Sequence, residues 1–181
     1  MEISEVKKGM HVIIDGDLYK VIDFLHVKPG KGSAIMKTKI KNVRTGTTLE
    51  RNFNTNYKIE SAMINHINAQ YLYNDGATYY FADMNTFEQI EIPEKLIGED
   101  KDYFLENLEV QVDMLDKEIL GVTIPEKLTM TVTRFDPTME TSSELAAITE
   151  TGLMVRVPKF ITEGEKIIVS TSDGKYVSRA N

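Results

Sequence analysis

The chain has 181 residues, no cysteine and a net charge of −7, with 41% hydrophobic and 27% charged residues. This length suits one large domain or two to three small ones. The lack of cysteine rules out disulfides and thiolate metal sites, and no apolar run is long enough to cross a membrane as a helix.

The opening Met1-Glu2-Ile3-Ser4-Glu5 has no basic stretch followed by an apolar one, so no secretory signal is read there. With no cysteine, a reducing cytoplasm is expected. His11, His26 and His66 lack a ligand-like spacing, so neither metal nor cofactor is expected. Charge is uneven. Residues 1–62 hold eleven Lys/Arg and seven Asp/Glu, net +4, while residues 63–181 hold ten and twenty-one, net −11. No acidic residue lies between Phe24 and Leu49, where Lys28, Lys31, Lys37, Lys39, Lys41 and Arg44 all fall. A basic first third on an acidic body points to one polyanion-facing end.

The first third, residues 1–62, reads as short strands. His11–Ile14 and Leu18–Phe24 flank Asp15-Gly16, a strong tight-turn signal. Lys28-Pro29-Gly30-Lys31-Gly32-Ser33-Ala34 then predicts a hairpin tip. Pro29 holds Lys28 extended, and Gly30 and Gly32 allow sharp turns on either side of Lys31. On the outgoing strand, period two puts Lys37, Lys39 and Lys41 on one face, opposite Met36, Thr38 and Ile40. Such a row suits a solvated sheet face or phosphate contacts. After the turn Arg44-Thr45-Gly46-Thr47, Leu49–Phe53 completes a five-stranded, barrel-like domain.

Residues 63–126 read as a second small barrel. Gln70–Tyr73 and Thr78–Phe81 flank Asn74-Asp75-Gly76, and Thr86–Ile92 reads as a further strand. A helix is expected over Leu96–Leu108, capped by Asp100 or Asp102, with Tyr103, Phe104 and Leu108 as its apolar stripe. Val110–Met114 and Ile119–Ile124 follow, around a turn at Asp116-Lys117. Strands with one short helix suit an oligonucleotide-binding barrel. Tyr71, Tyr73, Tyr79, Tyr80 and Phe81 offer either a base-stacking platform or, more simply, core and cross-strand packing.

Residues 127–181 read as a third barrel, with strands at Leu128–Arg134, Val155–Val157, Lys166–Ser170 and Lys175–Ser178. Ser172-Asp173-Gly174-Lys175 supplies an Asp-Gly turn, so each third of the chain has one.

No enzyme constellation emerges. The tip lacks a P-loop, because Leu25 stands where the first glycine belongs, Gly32 follows Lys31, and a strand follows instead of a helix. Neither a Gly-x-Ser-x-Gly nor a cysteine nucleophile occurs. The carboxylate pairs, Glu99-Asp100 and Glu163 with Glu165, read as surface or capping groups.

The stretch from His26 to Ala34, followed by Lys39-Ile40-Lys41-Asn42-Val43-Arg44-Thr45-Gly46, resembles the first domain of the bacterial elongation factor P family. Tyr71-Leu72-Tyr73-Asn74-Asp75-Gly76, Asn85-Thr86-Phe87-Glu88-Gln89, Thr151-Gly152-Leu153 and the ending Asp173-Gly174-Lys175-Tyr176-Val177-Ser178-Arg179 extend the likeness over all three thirds. The resemblance implies a mainly β protein: an SH3-like, KOW-type barrel (1–62) and two OB-fold barrels (63–126 and 127–181), in an L-shaped, tRNA-like arrangement. It implies a non-enzymatic, cytoplasmic, monomeric translation factor, needing no cofactor and no membrane. Such a factor binds the ribosome between the peptidyl-tRNA and exit sites and positions peptidyl-tRNA. It thereby stimulates peptide-bond formation and relieves stalling at consecutive prolines.

The partners so implied are ribosomal RNA and proteins near the exit site, peptidyl-tRNA, and a lysine-modifying enzyme if Lys31 is modified. Lys31 stands at the family's modified position, which carries a β-lysyl, an aminopentanol or (in the eukaryotic and archaeal relative) a hypusine extension. Three domains and Gly32, where the eukaryotic relative has a histidine, favour the bacterial factor. Lys28, Pro29, Gly30 and Gly32 form the tip loop, Lys37, Lys39, Lys41 and Arg44 are candidate phosphate contacts, and Tyr176 and Arg179 match the C-terminal signature. The family's Gly-Asp-Thr after Asp-Pro is absent; Asp136-Pro137 leads instead into Thr138-Met139-Glu140. The resemblance therefore does not extend to messenger contact by the third domain. The alternative function is a general RNA-binding module or RNA chaperone.

Overall fold

The structure, a computed structural model, describes residues 1–180. Three five-stranded sheets account for most of it. The first contains β1 (His11–Ile14), β2 (Asp17–Val27), β3 (Ile35–Asn42), β4 (Thr48–Asn54) and β5 (Glu60–Ser61), in the order β4-β3-β2-β1-β5. Asp15 and Gly16 join β1 to β2 with φ of 51° and 83°. Two left-handed residues in a row match the twist of a two-residue hairpin. The core is Val12, Ile14, Val21, Met36, Ile40 and Phe53, with Ile3, Val6 and Ile59. A bulge between Val21 and Asp23 keeps β2 in phase with it, so that Val21 faces Ile40 and, three residues later, Phe24 faces Thr38.

The second sheet contains β6 (Asn65–Asn74), β7 (Thr78–Asp83), β8 (Gln89–Pro93), β9 (Glu109–Leu115) and β10 (Glu118–Thr123), ordered β10-β9-β6-β7-β8. The third contains β11 (Lys127–Phe135), β12 (Glu144–Thr149), β13 (Met154–Pro158), β14 (Lys166–Ser170) and β15 (Tyr176–Arg179), ordered β13-β12-β11-β14-β15. In both, the first strand is central, with the next two on one side and the last two on the other. The two barrels repeat one topology that no sequence repeat announces. By contact the described residues form two compact units: Met1–Ile67 with Val112–Thr123, and Asn68–Gln111 with the chain from Ile124 onward.

Three expectations need correction. The helix expected over Leu96–Leu108 is a single α-turn, α1 (Glu94–Ile97), continued by a 3-10 turn over Gly98–Tyr103. Gly98 takes φ 63°, which ends α1, and Pro93, not an aspartate, occupies the N-cap. Tyr103, Phe104 and Leu108 are nonetheless buried, because tertiary packing rather than helical phase selects them. The strand expected from Thr86 begins at Gln89. The Asp83 carboxylate accepts hydrogen bonds from the Asn85 and Thr86 amides and holds those residues in a turn. Finally, β12 lies where no strand was read. Its Leu145-Ala146-Ala147 carries weak strand propensity, yet Ala146 and Ala147 are buried beside β11 and β13.

Candidate functional site

Strands β2 and β3 pair from Tyr19↔Asn42 to Val27↔Ile35 and leave residues 28–34 as the tip loop. Lys28, Pro29, Gly30, Lys31, Gly32 and Ser33 are all exposed. Gly32 has φ 105°, which only glycine adopts readily, whereas Gly30 lies outside the left-handed region. So one of the two glycines, not both, makes the turn at Lys31. Nothing lies within 4 Å of a Cβ built on either, so both glycines face open space.

The expected lysine face exists: Lys37 and Lys39 are exposed and Lys41 half-buried, alternating with buried Met36, Thr38 and Ile40. Thr38 gives its hydroxyl proton to the Arg51 carbonyl at 2.7 Å, so its burial leaves no polar group unpaired.

The lysines are not equivalent, because the neighbouring strands differ. Lys39 lies between Asp23 on β2 and Glu50 on β4. Lys37 lies between Leu25 and Asn52, which are uncharged. Leu25 is 61% exposed beside it. Lys41 lies between Lys20 and Thr48. Arg44 is engaged in an ion pair with Glu118 at 2.8 Å. The segment free of acid in sequence thus has carboxylates brought to it at its root. Lys20 and Arg44 are ion-paired, whereas Lys28, Lys31, Lys37, Lys39 and Lys41 make no ion pair among the described residues; of these, Lys39 is the one with carboxylates on both neighbouring strands.

At the root, sequence reading missed a polar cluster within the first compact unit. Asp113 on β9 has a side chain only 2% exposed. Its carboxylate meets His66 Nδ1 at 2.8 Å and Lys20 Nζ at 3.4 Å, and accepts the Thr123 hydroxyl at 2.8 Å. Lys20 Nζ also donates to Thr123 Oγ1 at 2.8 Å. His11 is buried beside them. Burial pushes its imidazole pKa below the usual value, opposed by Asp113 and reinforced by the charges of Lys20 and His66. No local pattern announces this cluster, since 93 residues separate Lys20 from Asp113.

The aromatic group divides. Tyr71, Tyr79 and Phe81 are buried and pack against Phe104, with centroid separations of 5.2, 5.4 and 5.9 Å in edge-on geometry. Tyr73 and Tyr80 stack on one another at 4.5 Å, with Tyr73 exposed. The Tyr80 hydroxyl donates to Asp75, and Glu91 lies across from it on β8. Carboxylates beside the rings suit a nucleic acid poorly.

In the third sheet, Arg179 stacks 4.5 Å above the Phe160 ring, donates to its carbonyl and pairs with Glu165. That anchors the end of β15. Tyr176 is half-buried opposite Val169. In the loop after Asp136, Glu140 pairs with Lys159, and the Met139 carbonyl accepts from Arg156. The Asp136 carboxyl is held below the usual range by hydrogen bonds from the Thr138 hydroxyl and amide.

Known families match the chain in three consecutive pieces. The elongation factor P KOW-like domain matches residues 2–59, the elongation factor P OB domain residues 64–122, and the elongation factor P C-terminal domain residues 128–179. The chain belongs to the elongation factor P family. That makes it a translation factor of mainly β architecture, a KOW-like domain followed by OB-type domains. Among solved structures it is similar to the eukaryotic translation initiation factor 5A from Methanococcus jannaschii. The two are 26% identical, over 69% of this chain and 90% of that one, with a TM-score of 0.45. It is also similar to a translation initiation factor eif-5a family protein from Naegleria fowleri, 18% identical over 68% of this chain and 96% of that one, with a TM-score of 0.39. In the KOW-like domain, Lys31 lies in the tip loop that leads into β3, the strand carrying Lys37, Lys39 and Lys41. No helix among the described residues is long and apolar enough to cross a membrane.

Proposed function

We propose that this translation factor acts on the ribosome, between the peptidyl-tRNA and exit sites, where it positions peptidyl-tRNA and speeds peptide-bond formation at runs of proline. The observation that carries this reading is the tip. Lys31, which makes no ion pair among the described residues, is held on an exposed hairpin tip, with Lys28 and Lys37 exposed behind it. Proline is a slow donor and acceptor because its ring restricts approach. A factor with no reactive group of its own still helps by holding the peptidyl-tRNA end in an attack-ready pose, which removes orientational freedom before the reaction. A flexible ammonium reaches phosphates and sugars in a crowded RNA site, and a modifying group on Lys31 would lengthen that reach. Lys37, then Lys39 and Lys41, brace the hairpin on backbone phosphates. The acidic barrels discourage indiscriminate RNA binding. Domains of 1–62, 63–126 and 127–181 and a cytoplasmic site of action belong to the same reading.

The test is translation of a proline-run reporter with purified components. Lys31→Ala is expected to lose stimulation with its thermal unfolding unchanged, whereas Lys7→Ala, on an exposed residue outside the hairpin, retains it. Equal activity of the two variants would overturn the reading. Salt-sensitive binding to many RNAs, indifferent to Lys31, would favour a general RNA-binding module instead.

A further inference from the structure

The turn between β7 and β8 holds a phenylalanine out into water. Phe87 is 81% exposed, the most exposed aromatic ring among the described residues. Its φ is 62°, a left-handed conformation in which a bulky side chain is strained. The turn is tightly bonded. The Asp83 carboxylate accepts from the Asn85 and Thr86 amides at 2.8 and 3.2 Å. The Phe87 amide donates to the Asp83 carbonyl at 2.8 Å, and the Asp83 amide to the Glu88 carbonyl at 2.9 Å. The Glu88 amide donates to the Thr86 hydroxyl at 3.3 Å. Glycine or asparagine would fill position 87 with less strain, and an exposed ring adds little to the core. A strained, rigidly presented aromatic is what a docking anchor requires, because its conformational entropy is lost before binding.

The surroundings select the occupant. Residues 68–111 hold ten Asp/Glu against two Lys/Arg, net −8. Met84, 40% exposed, lies in the same turn, and Glu88 and Glu91 are exposed nearby in sequence. RNA would be repelled by such a field, whereas a basic protein surface would be drawn to it. We propose that Phe87 anchors a protein-docking surface. Its ring enters an apolar pocket on a basic protein of the ribosome, while Glu88 and Glu91 face that partner's cations. The proposal rests on the ribosome-binding reading above.

The experiment measures binding of the full chain to purified 70S ribosomes and thermal unfolding of the same samples. Phe87→Gly removes the ring and the strain together. Its Tm is expected at or above that of the wild type, while its ribosome affinity falls at least about tenfold. Phe87→Tyr is expected to keep most of the affinity. A photoreactive benzoylphenylalanine at position 87 is expected to give an adduct with a basic ribosomal protein that survives ribonuclease. Unchanged affinity of Phe87→Gly, a Tm lowered by several degrees, or a cross-link to RNA would each overturn the proposal alone. A wild type that does not bind ribosomes would overturn the ribosome reading as well.

Discussion

The β2–β3 hairpin carries a lysine at each end, and the two lysines live in opposite environments. Lys20, at the root, is largely covered and held by Asp113 and Thr123. Lys31, at the tip, is exposed and makes no ion pair among the described residues. Both begin as the same flexible ammonium. What differs is which carboxylates the fold delivers. Asp113 and Glu118 arrive at the root from β9 and β10, Asp23 and Glu50 flank Lys39 midway, and none reaches Lys37 or Lys31. One end of the hairpin is thereby fixed to the molecule, and the other is left exposed.

This contrast predicts that stability and activity separate. The largest effect is expected at the root. Asp113→Ala strands Lys20 and His66 and is expected to lower stability by about 3 kcal/mol, seen as a fall in Tm or denaturant midpoint. Adding Lys20→Met should recover part of the loss. A fall in Tm of similar size in Lys31→Ala would erase the distinction between the two ends.

The next effect lies at the tip. Gly32→Ala forces a side chain into φ 105° and is expected to cost on the order of 1 kcal/mol locally. Proline-run activity should drop several-fold, whereas Gly30→Ala remains near wild type. If both glycines prove equally sensitive, the tip owes its shape to more than Gly32.

Along the row between the ends, Lys37→Ala is expected to reduce the salt slope of ribosome binding by about one phosphate contact. Arg44→Ala should reduce it by less than half as much, because Glu118 already holds that guanidinium. The reverse order would place the binding surface at the root.

The smallest effect is a pH dependence of the root cluster. The folded pKa of His11 lies below its unfolded value, so the unfolded chain takes up the proton first as pH falls. Its contribution is intact above about pH 6.5 and is lost below that. Asp113 moderates the loss, and Lys20 and His66 deepen it. Between pH 7.5 and 5.5 the wild type should therefore lose more Tm than His11→Gln, by a few degrees at most. An identical pH profile for the two proteins would remove His11 from the account.

Much of this was legible in one dimension. The hairpin was readable because strand period two is a local property: Met36, Thr38 and Ile40 inward, Lys37 and Lys39 outward. Asp15-Gly16, Asp75-Gly76 and Asp173-Gly174 marked turns because positive φ is a requirement on single residues. The false helix over Leu96–Leu108 came from treating buried Tyr103, Phe104 and Leu108 as a helical stripe. Phe104 is covered by Tyr71, Tyr79 and Phe81, and the Tyr103 hydroxyl reaches Gly174, which no periodicity in that segment reports. β12 escaped notice because Ala146 and Ala147 owe their strand state to the flanking strands.

The sequence by itself determined most of the strands, their Asp-Gly turns and the position of Lys31, since each rests on neighbours a few residues apart, and the family through motifs spread along the whole chain. Only the tertiary structure decided which cations are free. Charge compensation acts through space over a few ångströms, and Asp113 and Glu118 reach Lys20 and Arg44 from far along the chain.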